Sequence, residues 1–351
     1  MGHTAQGDQH RRGNDASSRY VCRMKDALAL TWFEHRRTSG LCAGLGLELA
    51  VLETGRRGVL RYLLLGLRTI TLLLRRRPAV LLVQNPSLIL GALSVGLRPV
   101  LGYRLIVDAH NEAVLPFINR QSWVRRLSRW VVRKADLTIV SNRQLAAAVE
   151  QHGGRPFTLA DRLPVAPMLS TRNLAGHFNV VLIATFAADE PVEAVLAAVR
   201  GTEIDLYVTG NWRKLDPATA QAVPANVHFT GFLAEEEYWR LLQSADAVVD
   251  LTLMDNCLVC GAYEGLAATK PMLLSNNTAS VELFGDSALY TDNTAPDIRR
   301  SLERLRLERL RLQTAAVVKR AELSAAWTTR AGVLAEVLRQ YQTGVQPESV
   351  V

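Results

Sequence analysis

A chain of 351 residues, 48% hydrophobic and 21% charged, has length for two ordinary domains with substantial cores and leaves no place for a largely disordered protein. Its net charge of +8 and pI of about 9.6 point to an anionic partner, whether nucleic acid, an anionic membrane surface or a phosphate-rich substrate. Four cysteines (Cys22, Cys42, Cys257 and Cys260) fit a reducing compartment better than a disulfide scaffold. Cys257 and Cys260 form a lone C-x-x-C with no second pair and no nearby His, which reads as two small buried hydrophobes rather than a zinc or redox site.

In chain order, residues 1–22 are polar, lack the apolar core of a signal peptide and read as a disordered tail. A strand at 26–32 leads into a loop at 33–40 that carries Arg36, Arg37 and Gly40, and a second strand follows at 47–52. The helix expected at 58–77 is apolar, but Arg61, Arg68 and Arg75 recur every seven residues. Charges through its middle make a spanning helix expensive, so an amphipathic helix is preferred, either packed on a sheet or pressed into a bilayer surface. A strand at 79–84, a turn at 85–87, a small-residue helix at 88–96 and a strand at 104–107 come next. That strand ends in Asp108-Ala109-His110-Asn111-Glu112, a polar cluster where open α/β sheets bind ligands; a helix cap by Asn111 and Glu112 is the plainer alternative. The helix at 121–135 sets Trp123, Leu127, Trp130 and Val131 against Arg125, Arg126, Arg129, Arg133 and Lys134, which suits a headgroup boundary or a solvated basic face. A strand at 136–140 and a helix at 143–151 close this half.

Residues 161–177 hold two prolines and no periodicity, the best domain boundary in the chain. Strands at 178–184, 204–209 and 227–230 then alternate with helices at 192–199 and 235–244. The stretch 247–276 reads as an apolar strand, a polar break, a helix over 258–269 rich in Gly and Ala, and a new strand after Pro271. Glu264 lies inside that helix on a face of small residues, which solvation explains poorly. Alternation in both halves gives an α/β protein with two Rossmann-like parallel-sheet domains facing a cleft: 23–165, then 178–296, with charged helices over 297–341.

Glu264 followed by Ala268-Thr269-Lys270-Pro271 resembles the donor site of GT-B glycosyltransferases, in particular glycosyltransferase family 4, and the likeness extends over roughly 26–340. In that family a Glu, seven intervening residues and a second Glu mark the site; Glu264 matches the second, and Asn256 stands where the first belongs. The resemblance implies that Glu264 binds the donor ribose, that Asn256 meets a sugar hydroxyl and that His110 faces the transferred sugar. It places the donor against Gly40, Thr209, Gly210, Gly231, Phe232, Cys257, Leu258 and Gly261, and acceptor or phosphate near Arg36, Arg37, Asn111 and Glu112. It implies an N-terminal acceptor domain, a C-terminal donor domain, and a last helix crossing back to brace the first. Where the family shows Gly-Arg and then Lys-Gly to grip the diphosphate, this chain has Ala184-Thr185 and Glu190-Pro191. The diphosphate is then left to helix N-terminal amides near 257–261 and to Arg36, Arg37, Arg213 or Lys214.

The expected function is therefore transfer of a sugar, with retention, from a nucleotide diphosphate to a lipid-linked or saccharide acceptor in polysaccharide or glycolipid biosynthesis. No Asp-x-Asp motif occurs, so no metal or other cofactor is expected. The basic helices suggest a cytoplasmic protein peripheral on the inner face of the cell membrane. They do not resemble a recognition motif, so no nucleic-acid partner is expected. A catalytically silent homologue serving as a membrane-associated scaffold or partner subunit is the alternative, motivated by the missing Glu, Arg and Lys.

Overall fold

A computed structural model of the chain describes residues 24, 26–85, 87–114 and 122–345. The expected tail 1–22, Pro86 of the turn and Gln121 at the start of the basic helix lie outside the described residues.

The first sheet holds β1 (Ala27–Thr31), β2 (Glu48–Val51), β3 (Val80–Asn85), β4 (Arg104–Ala109), β5 (Leu137–Val140) and β6 (Pro156–Thr158) in the order β2-β1-β3-β4-β5-β6. Every pairing is parallel. Both faces of such a sheet are covered, which is why its central strands are unbroken aliphatic runs such as Val80-Leu81-Leu82-Val83. The flanking helices are α1 (Arg36–Leu45), α2 (Gly58–Arg76), α3 (Leu88–Leu101), the short α4 (Asn111–Val114), α5 (Ser122–Lys134) and α6 (Arg143–Gln151). Alternate strand residues divide between two cores. Leu30, Leu81, Val83 and Leu105 meet α2, α3, α5 and α6, while Ala29, Leu82, Ile106 and Ile139 meet α1 on the other face.

The loop expected at 33–40 is in fact helical from Arg36. Ser39-Gly40 read as a loop, but Thr38, Leu41, Cys42 and Leu45 have helical spacing and bury one stripe against the sheet, and Gly46 ends the helix in the left-handed conformation at φ 67°.

The second sheet holds β7 (Phe178–Leu182), β8 (Ile204–Thr209), β9 (Val227–Gly231), β10 (Ala247–Asp250), β11 (Met272–Ser275) and β12 (Ala288–Thr291), in the order β12-β11-β10-β7-β8-β9 and again all parallel. The edge strand β12 carries no sequence signal beyond four residues and is an addition to the expected set. Helices α7 (Val192–Val199), α8 (Pro217–Gln221), α9 (Glu235–Ser244), α10 (Cys260–Ala267), α11 (Thr278–Phe284), α12 (Ala295–Leu307) and α13 (Arg309–Gln342) complete the chain.

Helix α13 spans 34 residues and serves both sheets. Near its start, Leu312 joins the core under β7 and β8; near its end, Ala331, Leu334, Leu338 and Tyr341 pack with α1 against the first sheet. Trp327 lies over Gly44 of α1 so closely that a Cβ there would overlap the indole ring, and Arg162 stacks on the same ring with its guanidinium carbon 5.4 Å from the centroid. Gly44→Val is expected to displace Trp327 and lower unfolding stability by about 1–3 kcal/mol, read by urea denaturation; unchanged stability would show that the contact contributes nothing.

Candidate functional site

The carboxyl ends of both sheets open on one cavity of about 370 Å³. The first sheet contributes His110, Asn111 and Ser141, just beyond β4 and β5; the second contributes Ala184, Thr185, Asp250, Cys257, Leu258 and Gly261.

Behind it lies a buried ionic knot. Asp108, at 0% exposure, accepts Arg37 Nε at 2.8 Å and Thr38 Oγ1 at 3.1 Å, and Arg37 also pairs with Asp161 of the segment joining the two sheets. Burial alone would push the Asp108 carboxyl up, but the Arg37 guanidinium and the two hydrogen bonds hold it below the usual carboxylate range. Arg37, expected at a phosphate, is thus sealed between two carboxylates.

His110 stands above this knot. Burial lowers its pKa to about 4, so the ring is neutral near pH 7. Gln84, whose side-chain oxygen takes the Thr31 hydroxyl, turns its amide nitrogen to His110 Nε2 at 3.4 Å. The neutral ring keeps one nitrogen to donate and one to accept, and the Gln84 amide holds its orientation through Nε2. His35 packs edge-on against His110, ring centroids 4.6 Å apart, and also lines the cavity. Sequence reasoning passed over His35 because it was taken for a loop residue.

Glu264 is 7% exposed and lies in a neighbouring cavity of about 310 Å³, together with Arg36, Gly40 and Trp239. Its carboxylate accepts from the Arg36 guanidinium and the Tyr238 hydroxyl. Burial raises the pKa of the Glu264 carboxyl, and those two partners oppose the rise. His110 and Glu264 therefore fall in two adjoining spaces whose common wall is Arg37, Asp161 and Cys260.

Asn256 has φ 56°, and its backbone carbonyl accepts the side-chain amides of Asn111 at 3.3 Å and Asn142 at 2.9 Å, stitching the two lobes together. It is not among the residues that wall either cavity. Gly261 does wall the larger one, but the close approach it permits is to Asp250, whose Oδ2 takes the Gly261 N–H at 2.7 Å. One of the helix amides expected to receive diphosphate is thus engaged by the chain itself. Burial pushes the Asp250 carboxyl well above its ordinary value. Asp250 was missed inside an apolar run; a carboxylate ending a buried strand is the signal that would have found it.

Thr209, Gly210, Gly231 and Phe232 lie outside both cavity walls. Thr209 Oγ1 accepts Ala184 N–H at 3.2 Å, and Gly210 N–H donates to Gly231 O at 3.0 Å. Gly210, at φ 85°, sits where a Cβ would overlap the Ala184 carbonyl, so these residues shape the loop after β7 from behind. Phe232 is 80% exposed. Glu112 falls on α4, with its side chain outside the described residues. Cys257 and Cys260 are not the buried core residues expected: Cys257 is half-buried and Cys260 exposed, and both line the larger cavity, whose surroundings desolvate the thiols and push them up to about 12, where thiolate chemistry is suppressed. Among the described residues no three His, Cys, Asp or Glu side chains are placed to hold a metal ion.

No family model and no curated protein matches the chain. Solved structures do. Sucrose-phosphate synthase from Thermosynechococcus elongatus is similar with a TM-score of 0.74 at 14% identity, over 91% of this chain and 99% of that one. Anabaena HepE in complex with UDP-glucose is similar with a TM-score of 0.71 at 13% identity, over 90% and 99%. A glycosyltransferase from Rickettsia africae is similar with a TM-score of 0.64 at 9% identity, over 90% and 97%. The chain has the GT-B fold.

Because His110 is held neutral by burial, the unfolded chain takes up a proton at this site before the folded one does as pH falls. Its contribution to stability is complete above about pH 6.5 and is lost on descent toward about pH 4. His110→Gln should lose less stability than the native chain across that window in urea titrations at successive pH values; identical slopes would mean that the ring titrates as if exposed.

Proposed function

We propose that the chain is a glycosyltransferase that takes a nucleotide-diphosphate sugar in the cleft and passes the sugar, with retention and without a metal, to a lipid-linked or saccharide acceptor. The observation that carries this reading is the pairing of a GT-B fold with a neutral, oriented His110 at the end of β4 and a nearly buried Glu264 carboxylate in the adjoining space. In this reading residues 23–165 form the acceptor domain, 178–296 the donor domain, and 297–341 the brace between them. The neutral His110 ring offers its N–H to an oxygen of the transferred sugar, and Glu264 accepts the ribose hydroxyls with its remaining lone pairs. Asn111 bounds the acceptor side.

A specific observation favours a second reading, a catalytically silent homologue. Arg36 and Arg37 are both engaged by carboxylates, and Asp161, Asp189, Glu190 and Asp250 all face the cavity that a diphosphate would enter. Thermal-shift screening with UDP-, GDP- and ADP-sugars separates the two, since a ligand bound only by the folded chain raises its melting temperature. Glu264→Ala is expected to weaken the stabilising donor about tenfold, the loss of one charge-assisted hydrogen bond. His110→Ala is expected to lower turnover with donor affinity retained. No stabilisation by any donor would favour the silent homologue.

The outer surface of the first lobe supports a lipid-linked acceptor. No helix of the described residues is long and apolar enough to cross a membrane. Helix α2 buries only Leu65, Thr69 and Leu73 and exposes Val59, Leu60, Leu63, Leu67 and Leu74, with Arg68 and Arg75 exposed beside them. Helices α2, α3 and α5 share one core on this face, and α5 adds Trp123, Arg126 and Arg129 at the surface. An anionic inner leaflet suits that combination, each cation contributing on the order of 1 kcal/mol near the surface. Co-sedimentation should show binding to anionic but not neutral vesicles, lost when Arg125, Arg126 and Arg129 become Gln and weakened by salt. Equal binding to both lipids would reject membrane docking through this face.

A further inference from the structure

We propose that Glu190 is a built-in occupant of the diphosphate position, an intramolecular anion that an incoming nucleoside diphosphate must displace. The proposal rests on the nucleotide-sugar reading of the cleft and adds a residue that sets how strongly the donor is held.

The loop between β7 and α7 turns three donors toward one point. Glu190 Oε2 accepts the Thr185 N–H at 2.9 Å and the Ala187 N–H at 3.3 Å, and Oε1 accepts the Thr185 hydroxyl at 2.7 Å. Thr185 and Glu190 both line the larger cavity. The carbonyl of the same Thr185 accepts from Lys214 Nζ at 2.7 Å. Lys214 is carried on a short 3₁₀ turn, Trp212–Lys214, whose Trp212 ring stacks on Phe229 with centroids 5.4 Å apart.

Two backbone amides and a hydroxyl make a donor set that a phosphate oxygen seeks, and a carboxylate is the same kind of acceptor. Here the chain fills the set with its own charge. Two anions cannot share it, since like charges a few ångströms apart in a half-buried cleft repel strongly. Asp189 does not take this place: its carboxylate is held by the Thr252 hydroxyl at 2.9 Å. Glu190 is half-buried and lies outside α7, before the N-cap Pro191, so its side chain can leave for solvent by rotation about its own bonds with the strand and the helix intact. The loop amides and the Thr185 hydroxyl then face the diphosphate.

Calorimetry on the full chain tests this with UDP, GDP and ADP and with the corresponding nucleosides as probes. Glu190→Gln keeps an acceptor for the loop but removes the charge. It is expected to bind the preferred diphosphate about tenfold tighter than the native chain with nucleoside affinity unchanged. Glu190→Ala should move in the same direction, and melting curves establish that both variants fold. A variant that binds diphosphate where the native chain binds none would also support the proposal. If the native chain binds a diphosphate and Glu190→Gln binds it equally or more weakly, the plug is rejected while the nucleotide-sugar reading stands. A parallel change in nucleoside affinity would make Glu190 a loop brace and reject it as well. If neither the native chain nor the variants bind any diphosphate, the proposal and the nucleotide-sugar reading fall together.

Discussion

Everything around the cleft is hung on the Arg37–Asp108–Asp161 knot. It joins the first turn of α1, the end of β4 and the segment between the sheets, three stretches far apart in sequence and all brought under cover. A buried charge pair of this kind adds little net stability over an apolar equivalent, but removing one partner leaves an uncompensated charge and is severe. Its value is therefore positional. With Arg37 locked, α1 can start only where His35 faces His110, and Asp161 can pass only where its backbone N–H meets the Tyr263 hydroxyl. The electrostatic consequence is equally direct: the cation that the neighbourhood of a phosphate most obviously offers is unavailable.

Most of the fold was legible in the sequence. Buried parallel strands have to be continuous aliphatic runs, and such runs, broken by Gly, Pro and Asn, located ten of the twelve strands. The two misses are short: β6, three residues at the edge beside β5, and β12, four residues at the edge beside β11, and the pairing of each comes from tertiary context. Helix α1 was hidden because Ser39-Gly40 is a turn signal locally, and the burial of Leu41, Cys42 and Leu45 outweighs it.

The site was less legible, for a physical reason. Side-chain identity announces a carboxylate or an imidazole but not which partner the fold will supply. Glu264 stood out as a charge among small residues, yet nothing near it in sequence indicates Arg36, 228 positions away. Asn256 was chosen for its amide and instead contributes a backbone carbonyl, which every residue has. Glu190 was visible only as a missing lysine, and its engagement of Thr185 depends on how the loop turns between them.

Helix α13 brings a mechanical consequence. At 1.5 Å per residue, its 34 residues make an unbroken rod of about 50 Å, anchored at one end beneath the second sheet and at the other against α1 and the first. A helix is stiff along its axis and yields mainly by gentle bending, since its hydrogen bonds lengthen slightly on one side before any break. The lobes cannot simply translate apart while both anchors hold. Any widening of the cleft must therefore bend this rod as well as break the ties that Asn111 and Asn142 make to the Asn256 carbonyl across the lobes.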